Sequence, residues 1–280
     1  MSMNLSSPQP LGPLSVGNVV SASLRVYRDR FKLYYRLAFI GYLWVLIPIY
    51  GWAKFSAMIG LLSRLVFTEL IERPETVDQA RSHVMPRMWN FLLAGILVAL
   101  IVFGASMGGV LIFGILAGVL GAILGQSTAS VVVLILLGAI ALIALIVGYL
   151  WLVARLLIVE VPLAIEDNVD ATSAIGRSWK LTAGYVSRIV LIFTVAFLIS
   201  IPISVAIQVA TLVIQVVLAA LFTRGSALFV LLYYVLVLGL SFAGGSLLIP
   251  FWQAIKTVIY YDLLNRKEGL GLQVRDSYPQ

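Results

Sequence analysis

The chain has 280 residues, 61% hydrophobic and only 11% charged, with a formal net charge of +7, one histidine and no cysteine. A charged share about half the ordinary globular value excludes a soluble protein of this size, because too few polar side chains exist to cover its surface. The absent cysteines exclude disulfides, thiolate metal sites and thiol catalysis, and His83 alone cannot form a histidine metal cluster.

Residues 1–13 are polar and proline-bearing, with no basic stretch leading into an apolar one. They are expected to form a flexible N-terminus and not a cleavable signal, leaving the first crossing to direct insertion. Residues 14–36 read as an interfacial amphipathic helix. Arg25 and Arg36 are 11 residues apart, about three turns, and so share one face with Tyr27 close by. A first hairpin is expected over 37–72, with Lys54 near its middle. Arg64 falls in or near its apolar layer, which makes it a functional candidate; the alternative is a side chain that snorkels to the interface. A cytoplasmic segment, 73–88, follows.

Residues 88–154 carry no charged side chain. As helix this run would extend roughly 100 Å against a hydrocarbon core of about 30 Å, so it must cross a bilayer more than once. A second hairpin is expected over 89–154, breaking at Gly125 to Ser130. Its first arm is too long for one straight crossing, and the run from Gly104 to Gly109 offers a kink or a re-entrant break. Gly114, Gly118, Gly121 and Gly125 lie on one helical face, suited to close helix packing or to a flexible gating helix.

Residues 155–188 read as a cytoplasmic amphipathic segment in which Arg177, Trp179, Lys180 and Arg188 repeat the basic-aromatic pattern of 25–36. The acids Glu160, Glu166, Asp167 and Asp170 are expected to pair with neighbouring arginines and not to hold a metal. A third hairpin, 189–262, contains two charge-free runs, 189–223 and 225–255, separated by Arg224. Pro202 is expected to kink its first arm. Ser204, Gln208, Thr211 and Gln215 recur on one face. Glutamines at mid-membrane need a neighbouring helix, a second subunit or water in a polar path. A cytoplasmic tail spans 263–280.

Sixteen of the 19 lysines and arginines fall in four patches between the hairpins and at their flanks. Positive-inside bias then puts both termini in the cytoplasm, in a bacterial-type inner membrane or another internal membrane. The same patches and anionic lipid headgroups account for the net charge without nucleic acid. Val131 to Leu137 shows none of the period-two alternation of a β-barrel. The class expected is all-α and polytopic, with about six transmembrane helices in three hairpins and interfacial helices ahead of them.

Several motifs resemble one known family. Arg155, Glu160 and Pro162, followed by Ala174, Arg177-Ser178-Trp179-Lys180, Leu181-Thr182 and Gly184, are similar to an "E…A..RSW.LT.G" pattern. The ending Tyr260-Tyr261-Asp262 with Arg266-Lys267-Glu268-Gly269 resembles the same family's tail, from which Leu264 and Asn265 depart. Leu14 to Arg25 fits its opening amphipathic helix. The family is the membrane domain named after glycerophosphoryl diester phosphodiesterase. The resemblance implies a six-helix membrane module, found alone or joined to a catalytic domain. That domain needs histidines and grouped acids this chain does not carry, so the activity in the name does not transfer.

No P-loop, G-x-S-x-G or H-E-x-x-H motif occurs. The expectation is a non-catalytic multi-pass protein without cofactor or metal, binding lipid or a membrane partner. Arg25, Arg36, Arg177, Lys180 and Arg188 would contact anionic headgroups, with Tyr27 and Trp179 at the same depth. Self-association or another membrane protein is the further partner expected. The alternative is a transporter or channel using the Ser204/Gln208/Thr211/Gln215 face.

Overall fold

A computed structural model describes residues 14–125, 127–222 and 225–269, and among these the regular structure is entirely helical. α1 (Val16–Asp29) begins where the Ser15 hydroxyl accepts the Asn18 N–H, satisfying one of the unpaired donors of a first turn. α2 (Phe31–Val45) and α3 (Tyr50–Leu70) fold back on each other through residues 46–49, where Ile49 adopts φ 62°, a costly conformation for a β-branched residue. α4 (Val77–Val84) is started by a Thr76/Gln79 capping box and passes through a 3-10 turn at Met85–Arg87, which accommodates Pro86.

α5 (Met88–Leu124) and α6 (Thr128–Leu156) form an antiparallel pair, followed by the short α7 (Glu160–Ile165). α8 (Ala171–Thr182) opens on an Asp170/Ser173 capping box, and α9 (Val186–Leu221) and α10 (Ala227–Glu268) complete the chain. A short capped helix therefore precedes each helix pair. The helix breaks fall close to the charge-free runs' expected turns, though Thr223 and Arg224 lie outside the described residues.

Among the described residues four stretches are long and apolar enough to cross a membrane: Val77–Leu124, Thr128–Ile165, Val186–Leu221 and Ala227–Glu268. In the most apolar windows of the first two, 0% of residues are buried. Facing water, this would be an apolar surface far beyond what a soluble protein exposes, and it is compatible with embedding in a membrane. Among the described residues six helices long and apolar enough to cross are not found. α2 has 15 residues, about 22 Å at the helical rise, short of a core of about 30 Å.

The packed part of the molecule surrounds the second half of α10. Ile255, Thr257, Val258 and Tyr260 are fully buried among side chains of α1, α3, α8 and α9. A second cluster joins Leu61, Leu62 and Val66 of α3 to Val84, Phe91 and Leu163. Glycine permits the closest approach between α3 and α5: a Cβ on Gly60 would lie 2.4 Å from the Phe91 ring. The re-entrant break considered at Gly104–Gly109 is corrected, because α5 runs uninterrupted through it; α9 likewise continues as helix through Pro202.

Candidate functional site

A network of charged side chains collects around the buried half of α10, where three distant segments meet. Asp262, with 3% of its side chain exposed, lies between Arg188 of α9 and Arg266, each 3.0 Å away. Its other carboxylate oxygen accepts the Leu14 N–H at 2.7 Å, while both guanidiniums also donate to the Leu14 carbonyl. One carboxylate thus fastens the start of α1 to α9 and α10. In this setting removing either sign of charge strands the other, which is what makes such a cluster structural.

Arg177 of α8 forms the second node. It donates to Glu166 at 2.7 Å and, through two nitrogens, to Glu268 at 2.5 and 2.8 Å. Glu268 first, and Glu166 with it, hold the guanidinium pKa above its already high ordinary value. The Tyr260 hydroxyl donates to the same Glu166 at 2.5 Å. Farther along α10, Lys256 pairs with Glu160, and Gln253 accepts the buried Ser63 hydroxyl at 2.9 Å. Ser178 donates to the Arg155 carbonyl at 2.7 Å, and the Arg155 guanidinium lies 4.5 Å from the Trp179 ring centre. The residues that carried the family resemblance therefore bind one another.

This placement gives several of the residues expected at lipid headgroups partners within the chain. Arg177 and Arg188 are tied to carboxylates inside the fold. Trp179 is 36% exposed, but its ring packs edge-on against Trp151 at 5.3 Å. The Lys180 side chain is exposed, and its carbonyl accepts Lys267 at 2.5 Å. Arg64 is likewise neither a snorkel nor a lone intramembrane charge. It makes a two-pronged pair with Glu75, both contacts 2.7 Å, and donates to the Ala164 carbonyl at 3.1 Å.

What remains outward is a strip on α1 and α2. Arg25, Arg28, Lys32 and Arg36 are exposed and spaced three and four residues apart along consecutive helices. Among the described residues only Arg28 has an acidic neighbour, Asp29 at 3.8 Å. Beside the strip the rings of Tyr27, Phe31, Tyr35 and Phe39 follow one another at 5.4, 5.9 and 6.3 Å. Tyr27 is anchored by donating to the Leu247 carbonyl at 2.9 Å, and burial pushes its hydroxyl pKa up to about 12. Arg28 and Lys32 were not singled out from the sequence. Their spacing between Arg25 and Arg36 was the available signal.

The polar face of α9 turns outward. Ser204 and Thr211 donate to carbonyls of their own helix, at 3.1 and 2.9 Å, and the Gln208 and Gln215 side chains are exposed. Contact with α10 is made instead by Ile207 at Gly244. The glycine stripe is not a packing seam within the chain. Gly114 and Gly118 have no neighbour within 4 Å of a Cβ, Gly121 only Leu134 at 3.9 Å, and Gly125 ends α5 at φ 71°. The α5–α6 pair closes at Gly109, where a Cβ would lie 2.6 Å from Leu145.

Among the described residues no group of three or more histidines and acids could hold a metal. Glu160, Glu166, Asp167 and Asp170 are dispersed among separate partners: Lys256, Arg177, Arg87 and the α8 cap. No family model, no curated protein and no solved structure matches the chain.

Proposed function

We propose that this is a non-catalytic multi-pass membrane module that seats anionic lipid along the α1–α2 strip. The carrying observation is the contrast among its cations. Arg177 of α8, Arg188 of α9, and Lys256 and Arg266 of α10 are held by carboxylates of the fold, whereas Arg25, Arg28, Lys32 and Arg36 face outward beside a row of aromatic rings. Each such cation near an anionic surface contributes about 1 kcal/mol, so the strip would contribute about 4 kcal/mol. Tyrosine and phenylalanine rings at the same level suit the headgroup boundary.

In this reading the four long helices cross the bilayer and both termini lie on the cytoplasmic side of an inner or other internal membrane. The α2–α3 pair enters the same apolar layer only part-way. Between Arg36 and Lys54 the chain has 17 residues folded into two arms, about 12 Å each. This keeps the stand-alone membrane module implied by the family resemblance and none of the activity in its name. The outward Gln208 and Gln215 favour a second copy or another membrane protein against α9 over a solute path within the chain, since amides in lipid require partners.

The test is lipid retention by the purified protein carrying Arg25→Gln, Arg28→Gln, Lys32→Gln and Arg36→Gln. Native mass spectrometry should show markedly less co-purifying anionic lipid with neutral lipid unchanged. Retention of anionic lipid at the parent level would sink the reading.

A further inference from the structure

A cleft of about 740 Å³ lies between the α2–α3 pair and the α4–α5 junction. Its walls are apolar and adaptable: Ile40 and Trp44 from α2, Met58 from α3, and Met85 and Met88 beyond α4. Unbranched methionines adjust to an irregular or mobile ligand. Two cations, Lys54 and Arg81, line the same space, with Ser82 and Asp78 on the α4 side.

Lys54 is the unusual member. Its ammonium lies 3.8 Å from the centre of the Trp44 ring and 4.9 Å from that of Tyr50, and among the described residues no carboxylate pairs with it. Ring faces attract a cation but do not neutralise it. It is half-buried near the tip of an apolar helix pair, where an uncompensated charge is expensive. Arg81 has only a loose 3.9 Å contact with Asp78, whose side chain is 94% exposed. The cleft therefore combines net positive charge and a guanidinium fork with an oily lining. An anion with a hydrocarbon tail matches both; a free anion matches only the first.

We propose that this cleft holds one anionic phospholipid, its phosphate between Lys54 and Arg81 and an acyl chain along Ile40, Met58 and Met88. The site is separate from the α1–α2 strip. The strip touches many headgroups at once, whereas the cleft takes a single lipid per chain and keeps it through detergent extraction. Arginine supplies the planar two-donor geometry that phosphate accepts, and lysine a compact charge.

The experiment is native mass spectrometry of the full chain in micelles containing equal phosphatidylglycerol and phosphatidylcholine. The parent should carry one phosphatidylglycerol in preference to phosphatidylcholine. Lys54→Gln and Arg81→Gln should each lower that preference about fivefold. The exchanged pair Lys54→Arg with Arg81→Lys should keep it. The α1–α2 quadruple variant should keep the single lipid while losing bulk anionic lipid, so failure of the strip and failure of the cleft are told apart. Full retention of phosphatidylglycerol in a Lys54→Gln/Arg81→Gln protein with parental helicity and melting would overturn the proposal. So would equal retention of phosphatidylcholine by the parent, or inorganic phosphate binding as tightly as the lipid, which would make the occupant a free anion.

Discussion

Replacing Asp262 should loosen the whole charged collar. Its carboxylate is 3% exposed, satisfies Arg188 and Arg266 at 3.0 Å each, and accepts the Leu14 N–H at 2.7 Å. Asp262→Ala leaves two guanidiniums and a backbone donor without their acceptor, in a place water reaches poorly. Breaking a buried ion pair by removing one partner costs about 3–5 kcal/mol. Asp262→Asn keeps an acceptor for the Leu14 N–H but loses the charge. Its cost should be smaller, about 1.5–3 kcal/mol, the range for a hydrogen bond to a charged group. Unfolding by denaturant titration in detergent, followed by tryptophan fluorescence, reads the order parent, Asn, Ala. Trypsin cleavage after Arg25 and Arg28 supplies a local readout, because release of Leu14 frees the start of α1. An Asp262→Ala protein within about 0.5 kcal/mol of the parent, with α1 cleaved no faster, would refute the fastening role, since that range is what an uninvolved surface site shows.

Other consequences are simpler to state. Gly60→Val should destabilise by about 1–3 kcal/mol through overpacking against Phe91, whereas Gly118→Val, on an open face, should leave the same denaturant midpoint within experimental error. Asp170 caps α8, and hydrogen bonds from Ser173 hold its carboxyl at about 2, below the ordinary 3.8. A depressed folded-state pKa means the cap's contribution is full above about 3.8 and is lost as pH falls towards 2. Fluorescence of Trp179 should show an acid step in that window, and Asp170→Ala should abolish it. Gln208→Leu with Gln215→Leu should shift a self-associated form towards monomer on native gels in mild detergent; an unchanged band pattern would count against a partner on α9.

The helical class and the approximate helix ends near Gly125 and residue 225 were legible because charge-free runs longer than a bilayer must fold back, whereas the Gly104–Gly109 run offered a further break that α5 does not take. The fate of the arginines was not legible. A basic face on a short helix fits a headgroup layer and a set of carboxylates from other helices equally well, and the deciding partners lie far off in sequence. Arg177 meets Glu268 and Lys256 meets Glu160, separated by 91 and 96 residues. Arg64 shows the same difficulty at short range. Glu69, five residues on, does not share its helical face, and the partner is Glu75, which the chain returns to the guanidinium by turning after Leu70. Glu69 instead serves Arg30 and Tyr34, both at 3.0 Å. The glycine stripe of α5 had the right period for packing, yet the close contacts formed at Gly60, Gly109 and Gly244, where a bulky neighbour fills the space and no periodic pattern marks the site.

Seating in the bilayer with the α1–α2 strip at the headgroups is the centre of this account, and it can be measured directly because the chain has no cysteine of its own. Spin labels at Ile112→Cys, Ile140→Cys and Lys32→Cys, in protein reconstituted into anionic bilayers, would report depth through accessibility to oxygen and to a water-soluble nickel complex. Labels at 112 and 140 should be shielded from nickel and exposed to oxygen, with the label at 32 at phosphate depth. Nickel access at 112 and 140, or a label at 32 in bulk water, would contradict this seating.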